Sequence, residues 1–364
     1  MAPPVTRRRP VIVFFTAVFA IIAYFTLLPY PLGTETVARP VWVAAIPSPN
    51  DPAASAAPER EQVPALFQLG GVFGYVDGQG RFAHVEKTLY RVALSDTGFV
   101  NYTRLGTDWI LHDVRGRRVL SFSGSGYPLL SPDGSRIFVV KSDLSGLVEM
   151  GNGGETRWER DFASLLTTLS VQGSSLLAGL LDGSMVFIDP RGAAIVLAAA
   201  RSSRIPVLFG AAVTGDGSVA ASLSGIDPQV LTVYSRREGV FEPRSTQVLA
   251  TDFRREVRMA FSPKGRYLAF EDGSAVGLFD LAAGRSSRVA LRGPLTGIAF
   301  PAEGRLAAAA AVAGGHADLA VFSPFVGPVF RETFAAPDLF VGTVDGQLLL
   351  GLDGRLMRID MVAM

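Results

Sequence analysis

Apolar and polar positions along this chain follow a phrase that returns many times. A strand-like apolar run ends in a glycine turn and a second apolar run follows. A tight turn, often Asp-Gly, then leads into a third apolar run that closes on an acidic residue. The phrase is plainest at residues 176–189, 267–280 and 348–360. Self-similarity at a fixed period indicates stacked repeats, each burying its apolar faces on its neighbours.

The spacing of the turn glycines predicts the kind of repeat. Successive glycines that end a first strand are about 40 residues apart, the length of a four-stranded propeller blade. These glycines are Gly98, Gly134, Gly173, Gly217, Gly265, Gly304 and Gly346. In turns such as Ser131-Pro132-Asp133-Gly134, proline presets φ and glycine supplies a positive φ. Residues 66–364 are therefore predicted to form an all-β propeller.

These phrases resemble those of the WD-repeat, YVTN and PQQ-type β-propellers. The resemblance covers about residues 66–364 and implies the propeller fold, since "Ser-Pro-Asp-Gly" before an apolar strand is common to that superfamily. The run Gly153-Gly154-Glu155-Thr156-Arg157-Trp158 is similar to the tryptophan-bearing turn of PQQ-type blades. That similarity points towards the exported propellers that assist outer-membrane protein assembly.

The number of blades follows from counting the units. Seven clear units lie between Leu89 and Ile359, and a shorter hairpin precedes them at residues 72–85. The last unit has three predicted strands, so we expect an N-terminal strand to complete it and close the ring. This pattern favours seven blades; eight blades, with an abbreviated first one, is the alternative.

The N-terminal region has the features of a membrane segment. Arg7, Arg8 and Arg9 precede an apolar stretch over residues 10–30, and about 20 apolar residues suffice to cross a bilayer. The arginines predict that residues 1–9 are a cytoplasmic tail and that the rest is periplasmic, in a single-pass protein of the bacterial inner membrane. A cleaved signal peptide is the alternative, although its apolar region is usually shorter.

The stretch from 31 to 65 is predicted to be a linker. It is rich in proline and alanine, a composition that favours an extended spacer. Val41-Trp42-Val43 is an exception, and contact with the folded body, contact with the membrane interface and simple exposure are all open for it.

Composition restricts the chemistry available to the chain. A formal net charge of +1 argues against a nucleic-acid partner. With no cysteine, disulfides, thiolate metal sites and cysteine nucleophiles are excluded. The three histidines, His84, His112 and His316, are far apart, and the Asp-Gly pairs are best explained as hairpin turns. No catalytic residue, metal or cofactor is predicted.

Arginines near predicted loops are the candidate partner-binding residues. Because loops of adjacent blades lie side by side, we expect them to form one face with a neighbouring phenylalanine that binds a protein partner; contact with anionic lipid head groups and a solvated surface are the alternatives. Phe325, in a Pro-Phe-Val-Gly-Pro turn, is a second candidate contact, or else part of the core. The arginine-rich set is Arg201, Arg204, Arg236, Arg237, Phe253, Arg254, Arg255 and Arg258.

The sequence thus predicts a membrane-anchored periplasmic propeller. Its expected function is non-catalytic: a scaffold or docking platform for a protein partner in an envelope complex, with rim loops making the contacts. A propeller enzyme of the lactonase or quinoprotein type and an extracytoplasmic ligand-binding sensor are the alternatives.

Overall fold

A computed structural model describes residues 14–19, 36–49, 64–198 and 203–363. The chain divides into a small unit, residues 1–37 with 362–364, and a large unit, residues 38–361. In the small unit, residues 14–19 are helical. Nowhere in these four ranges is there a helix with the length and apolarity needed to span a bilayer. The predicted membrane segment is described only at 14–19, and Arg7, Arg8 and Arg9 lie outside the described residues.

The large unit is an eight-bladed β-propeller, each blade a twisted antiparallel sheet. Blade 1 has three described strands: β2 (Ala65–Leu69), β3 (Val72–Val76) and β4 (Phe82–Lys87). Blade 8 consists of β29 (Leu339–Val344), β30 (Gln347–Leu352) and β31 (Arg355–Ala363), with β1 (Thr36–Ala45) as its outermost strand.

Six complete blades lie between these two. Blades 2 and 3 contain β5 (Arg91–Leu94), β6 (Gly98–Tyr102), β7 (Asp108–Asp113), β8 (Arg118–Ser123), β9 (Gly126–Leu130), β10 (Ile137–Lys141), β11 (Gly146–Met150) and β12 (Thr156–Asp161). Blades 4 and 5 contain β13 (Leu166–Gln172), β14 (Ser175–Leu180), β15 (Ser184–Ile188), β16 (Ala194–Ala198), β17 (Ile205–Val213), β18 (Val219–Ile226), β19 (Gln229–Arg237) and β20 (Val240–Leu249). Blades 6 and 7 contain β21 (Met259–Phe261), β22 (Tyr267–Glu271), β23 (Ala275–Asp280), β24 (Arg285–Ala290), β25 (Leu295–Ala299), β26 (Ala307–Ala313), β27 (His316–Ser323) and β28 (Gly327–Phe334).

The core lies between neighbouring blades. Every residue of β14 and of β23 is buried, because these strands are covered on both faces by adjacent sheets. The outermost strands alternate between exposed and half-buried positions, as in β24, since only one of their faces is covered. Phe187 of blade 4 packs on Phe241 of blade 5 across such an interface, with ring centroids 5.1 Å apart.

Strand direction sorts the loops onto two rims. In a complete blade the innermost strand comes first and the strands alternate in direction, so all innermost strands begin at one rim and end at the other. We call the rim where they begin rim A; it carries the loops that join blades. Rim B carries the turns between first and second strands and between third and fourth strands.

The count of eight corrects the favoured prediction of seven. Residues 72–85, set apart in the sequence as a short hairpin, pair with β2 as a blade of their own. The β3–β4 turn matches the turns between third and fourth strands elsewhere, so blade 1 has the second to fourth strands of a full blade. Its repeat phrase is truncated, and sequence counting therefore favours one blade too few.

Ring closure by an N-terminal strand is confirmed, and β1 supplies it. Thr36–Ala45 lies within the stretch predicted to be a linker. The Trp42 Nε1 atom donates to the Gly78 carbonyl oxygen at 2.8 Å, and its ring covers Gly80 of blade 1. Trp158 of β12 covers Gly192 of blade 4 in the same way. β1 therefore has the same place in blade 8 that β12 has in blade 3.

Candidate partner-binding rim

The structure separates the predicted arginine-rich set between the two rims. Arg204 directly precedes β17, and Phe253, Arg254, Arg255 and Arg258 lie in the loop between β20 and β21, so all five are on rim A. Arg236 and Arg237 end β19 and lie on rim B. The single contiguous face predicted from the sequence is therefore split in two. Arg201 lies outside the described residues.

The loop 250–258 on rim A is held by buried groups. Gln229 has no exposed surface, and its Oε1 atom accepts hydrogen bonds from the Thr251 hydroxyl at 2.7 Å and the Phe253 N–H at 3.1 Å. Its Nε2 atom donates to the Phe253 carbonyl oxygen at 2.7 Å. Each polar atom of this buried amide thus has a partner in or beside the loop, which fixes the loop backbone.

Arg255 anchors the same loop to blade 6. Its guanidinium forms a bidentate pair with Glu271, at 2.5 and 3.0 Å, and stacks over the Phe253 ring. Glu271 is fully buried and raises the pKa of Arg255, an effect that outweighs desolvation of the guanidinium. We conclude that Arg255 is a structural cation of rim A, although half of its side chain is exposed.

The neighbouring residues alternate as in an extended strand. Phe253 packs on the core between blades 5 and 6, and Val257 is buried there with its N–H bonded to the Phe209 carbonyl oxygen. Arg254, Glu256 and Arg258 consequently face away from that core and are exposed. Among the described residues, neither Arg254 nor Arg258 has a carboxylate in salt-bridge contact, so both guanidinium groups are available to a partner.

Glu256 and Arg258 also line a cavity of about 580 Å³ in the central channel. Its wall is apolar at Leu129, Leu169 and Ile298, on inner strands of three blades. The Thr168 hydroxyl donates to Glu256 Oε1 at 3.1 Å. Although solvent reaches Glu256 through the channel, the surrounding protein partly desolvates its carboxyl and raises the pKa, against the opposing effects of this hydrogen bond and of Arg258 and Arg91.

Sequence reasoning missed two further cations of rim A. Arg91 is the first residue of β5, and Arg292 lies in the loop before β25. With Arg204 and Arg258 they place an arginine at the rim A end of four inner strands, and all four are exposed. These four arginines, opposed in the loop 250–258 by Asp252 and Glu256, favour carboxylates and phosphates near this mouth. The available signal was the position of each arginine at or just before an inner strand.

The rim B candidates are held by aromatic contacts. The Arg236 guanidinium lies over the Phe187 ring, 4.7 Å from its centroid, and near Phe241. Phe325 is half-buried: its ring is 6.2 Å from that of Tyr267, and Arg285 stacks on it at 4.7 Å. Arg237 is exposed. Arg236, at the end of β19, and Phe325, in the turn between β27 and β28, thus contact side chains of the neighbouring blade.

The histidines do not converge. His84 and His112 both stack on the Phe99 ring, each with its centroid 5.1 Å away, whereas His316 is exposed in a different blade. Within the described ranges there is no group of three or more histidine, cysteine or acidic residues arranged to hold a metal ion.

Comparison with known proteins places the chain in a class and then in a family. The fold is that of the β-propellers. A family model described as "beta-propeller protein" matches residues 6–364, so the chain belongs to that family.

Three relatives show how far the similarity extends. An uncharacterised protein of Treponema pallidum (strain Nichols) is 22% identical over 361 residues, which cover 98% of this chain and 95% of that protein. BamB from Moraxella catarrhalis has a TM-score of 0.58 at 14% identity, and the match covers 89% of this chain and 98% of that one. The β-propeller domain of Cps50 (Swd1) from Myceliophteria thermophila has a TM-score of 0.52 at 12% identity, over 75% of this chain and 97% of that one. The two solved structures are similar in fold.

Proposed function

We propose that this protein is a non-catalytic docking platform whose partner binds rim A. The observation that carries the proposal is the loop 250–258, where Arg254 and Arg258 are exposed beside structural anchors. A loop that is already fixed loses little entropy when a partner binds, and arginine is enriched at protein interfaces. The partner is expected to present an acidic surface, because the rim A arginines create a positive field.

The proposal also places the platform in a bacterial envelope. A single helix at residues 10–30 would anchor the chain in the inner membrane, with Arg7, Arg8 and Arg9 on the cytoplasmic side and the propeller in the periplasm. Support comes from the apolar length of that segment and the arginines before it. The similarity in fold to BamB is compatible with a scaffold role.

The test is recovery of a cross-linked partner from the native envelope with the full-length, C-terminally tagged protein. Reversing charge with Arg254→Glu and Arg258→Glu should abolish recovery while circular dichroism still shows a folded β-protein, because neither side chain is in a salt bridge within the described structure. The matched control is Arg191→Glu with Arg237→Glu, two exposed arginines of rim B. Recovery that survives the rim A changes, or that is lost equally in the control, would contradict the proposal.

The anchoring proposal has its own readout. A reporter that is active only in the periplasm, fused after Met364, should be active and should remain with the membrane fraction after washing in high salt. Activity of a cytoplasmic reporter at the same position would refute the topology without bearing on rim A.

A further inference from the structure

The outer edges of the blades differ in how they are protected against pairing. The outermost strand of a blade has one edge with unpaired N–H and C=O groups, which can add a strand from another chain. Charged residues and proline oppose such pairing. Seven of the eight outer strands carry them: Arg39 and Pro40 in β1, Lys87 in β4, Arg118 in β8, Arg160 in β12, Pro243 in β20, Arg288 in β24, and Pro328 and Arg331 in β28.

β16 is the unprotected one among the outer strands that the structure describes. It reads Ala-Ile-Val-Leu-Ala and contains neither a charge nor a proline. One of its edges pairs with β15, in the register Val186 to Val196. Ile195 and Leu197 pack into the core between blades 4 and 5, whereas Val196 on the other face is 69% exposed. Within the described residues no strand pairs with the other edge of β16, and the strand consists entirely of apolar residues.

The sequence of β16 is self-complementary. If two copies pair antiparallel about a two-fold axis at Val196, Val196 faces Val196 and Ile195 faces Leu197 of the other copy. The opposed side chains are matched in size, and no charge meets its own image, which would destabilise an isologous contact. Pairing with a strand of unrelated sequence would not need β16 to be symmetric about Val196, so the symmetry favours a second copy of this chain as the partner.

We propose that β16 pairs with β16 of a second copy, joining blade 4 of each copy into one continuous eight-stranded sheet. The exposed Val196 side chains then cover each other on the outer face of that sheet. The contact is on the outside of the ring and leaves rim A free. Failure of the dimer proposal would therefore not affect the docking proposal, and the reverse is also true. Because the edge is only five residues long, the dimer is expected to be reversible and to depend on concentration.

The first test uses the absence of cysteine from the chain. Directly opposed residues of an antiparallel pair have Cα atoms about 4.5–5.5 Å apart, within the range that a disulfide spans. The full-length Val196→Cys protein should therefore form a disulfide-linked dimer on mild oxidation, seen on a non-reducing gel. Val119→Cys is the matched control, since Val119 is 61% exposed on the protected strand β8. Absence of the Val196 dimer, or equal cross-linking in the control, would overturn the proposal.

The second test measures mass in solution without a cross-link. By light scattering in detergent, the wild-type chain should move from one copy to two as its concentration rises. Val196→Lys should remain at one copy, because two like charges would meet on the axis, whereas Val119→Lys should behave as wild type. A wild-type chain that stays monomeric up to its solubility limit, or an unchanged dimer in Val196→Lys, contradicts the pairing.

Discussion

Single acidic residues shape the rim B turns of this propeller. Asp113 and Asp280 end third strands and Asp189 directly follows one, which are the positions where the repeat phrase closes on an acidic residue. The carboxylate of each accepts two backbone N–H groups from the turn that follows. In the turn from β17 to β18, Asp216 has a related role. The turn role predicted for the Asp-Gly pairs is confirmed for Asp216, whose carboxylate accepts hydrogen bonds from Thr214 and Ser218.

Asp216 should make the stability of the folded protein depend on pH in the acidic range. Hydrogen bonds from the Thr214 hydroxyl and the Ser218 N–H lower the pKa of its carboxyl below the ordinary value of 3.8, despite partial burial. Because the pKa is lower in the folded state than in the unfolded state, the ionised carboxylate stabilises the fold at any pH above the unfolded pKa. This stabilisation is lost as the pH falls through the folded pKa. Asp216→Asn should therefore lower the melting temperature at pH 7, and the deficit should shrink towards pH 3. A deficit of the same size at both pH values would refute this role.

Substitution of a second acidic residue, Glu149, should lower the free energy of unfolding far more. It is 1% exposed and forms a bidentate pair with Arg136, both bonds at 2.8 Å, while Arg136 is 6% exposed. Glu149→Gln leaves a buried guanidinium without its counter-charge, so unfolding should become easier by about 3–5 kcal/mol. Denaturant titration measures this loss.

The control for Glu149 is an exposed ion pair. Glu303 contacts Lys264 at 2.8 Å with both side chains more than two-thirds exposed, so Glu303→Gln should change the denaturation midpoint little. Equal losses of unfolding free energy for the two substitutions would show that burial does not determine how much the Arg136–Glu149 pair contributes to stability.

At the scale of elements, the periodic phrase was enough to predict most strands. The turn glycines Gly134, Gly173 and Gly217 all have positive φ, as the phrase requires. β1 was missed because its proline and alanines are typical of a linker and no repeat phrase surrounds it. Trp42 was the available signal, since Trp158 occupies the same position in a blade that the phrase identifies.

Trp42 should therefore be the residue on which ring closure depends most. Trp42→Ala removes the ring from Gly80 and the hydrogen bond to Gly78, and should lower the free energy of unfolding by about 1.5–3 kcal/mol. Val43→Ala, a change at a 56% exposed neighbour, is the control. Denaturant unfolding compares the two, and a loss for Trp42→Ala no greater than for Val43→Ala would argue against closure by β1.

At the scale of the whole molecule, the candidate site was predictable only in part. The sequence identifies Arg254 and Arg258 because the loop 250–258 is conspicuously basic. It does not reveal that Arg236 and Arg237 are on the opposite rim, since that depends on how many strand reversals separate them from Arg254. Nor does it reveal that Arg255 is paired, because Glu271 is brought to it by the stacking of blade 6.

Site-specific photo-cross-linking in living cells tests the docking claim most directly. A photoreactive amino acid is placed at position 252, an exposed site beside Arg254 on rim A, or at position 237 on rim B of the full-length protein. We predict one discrete cross-linked product from position 252 and none from position 237. A product from position 237 alone, or from neither position, would contradict a partner-binding rim A.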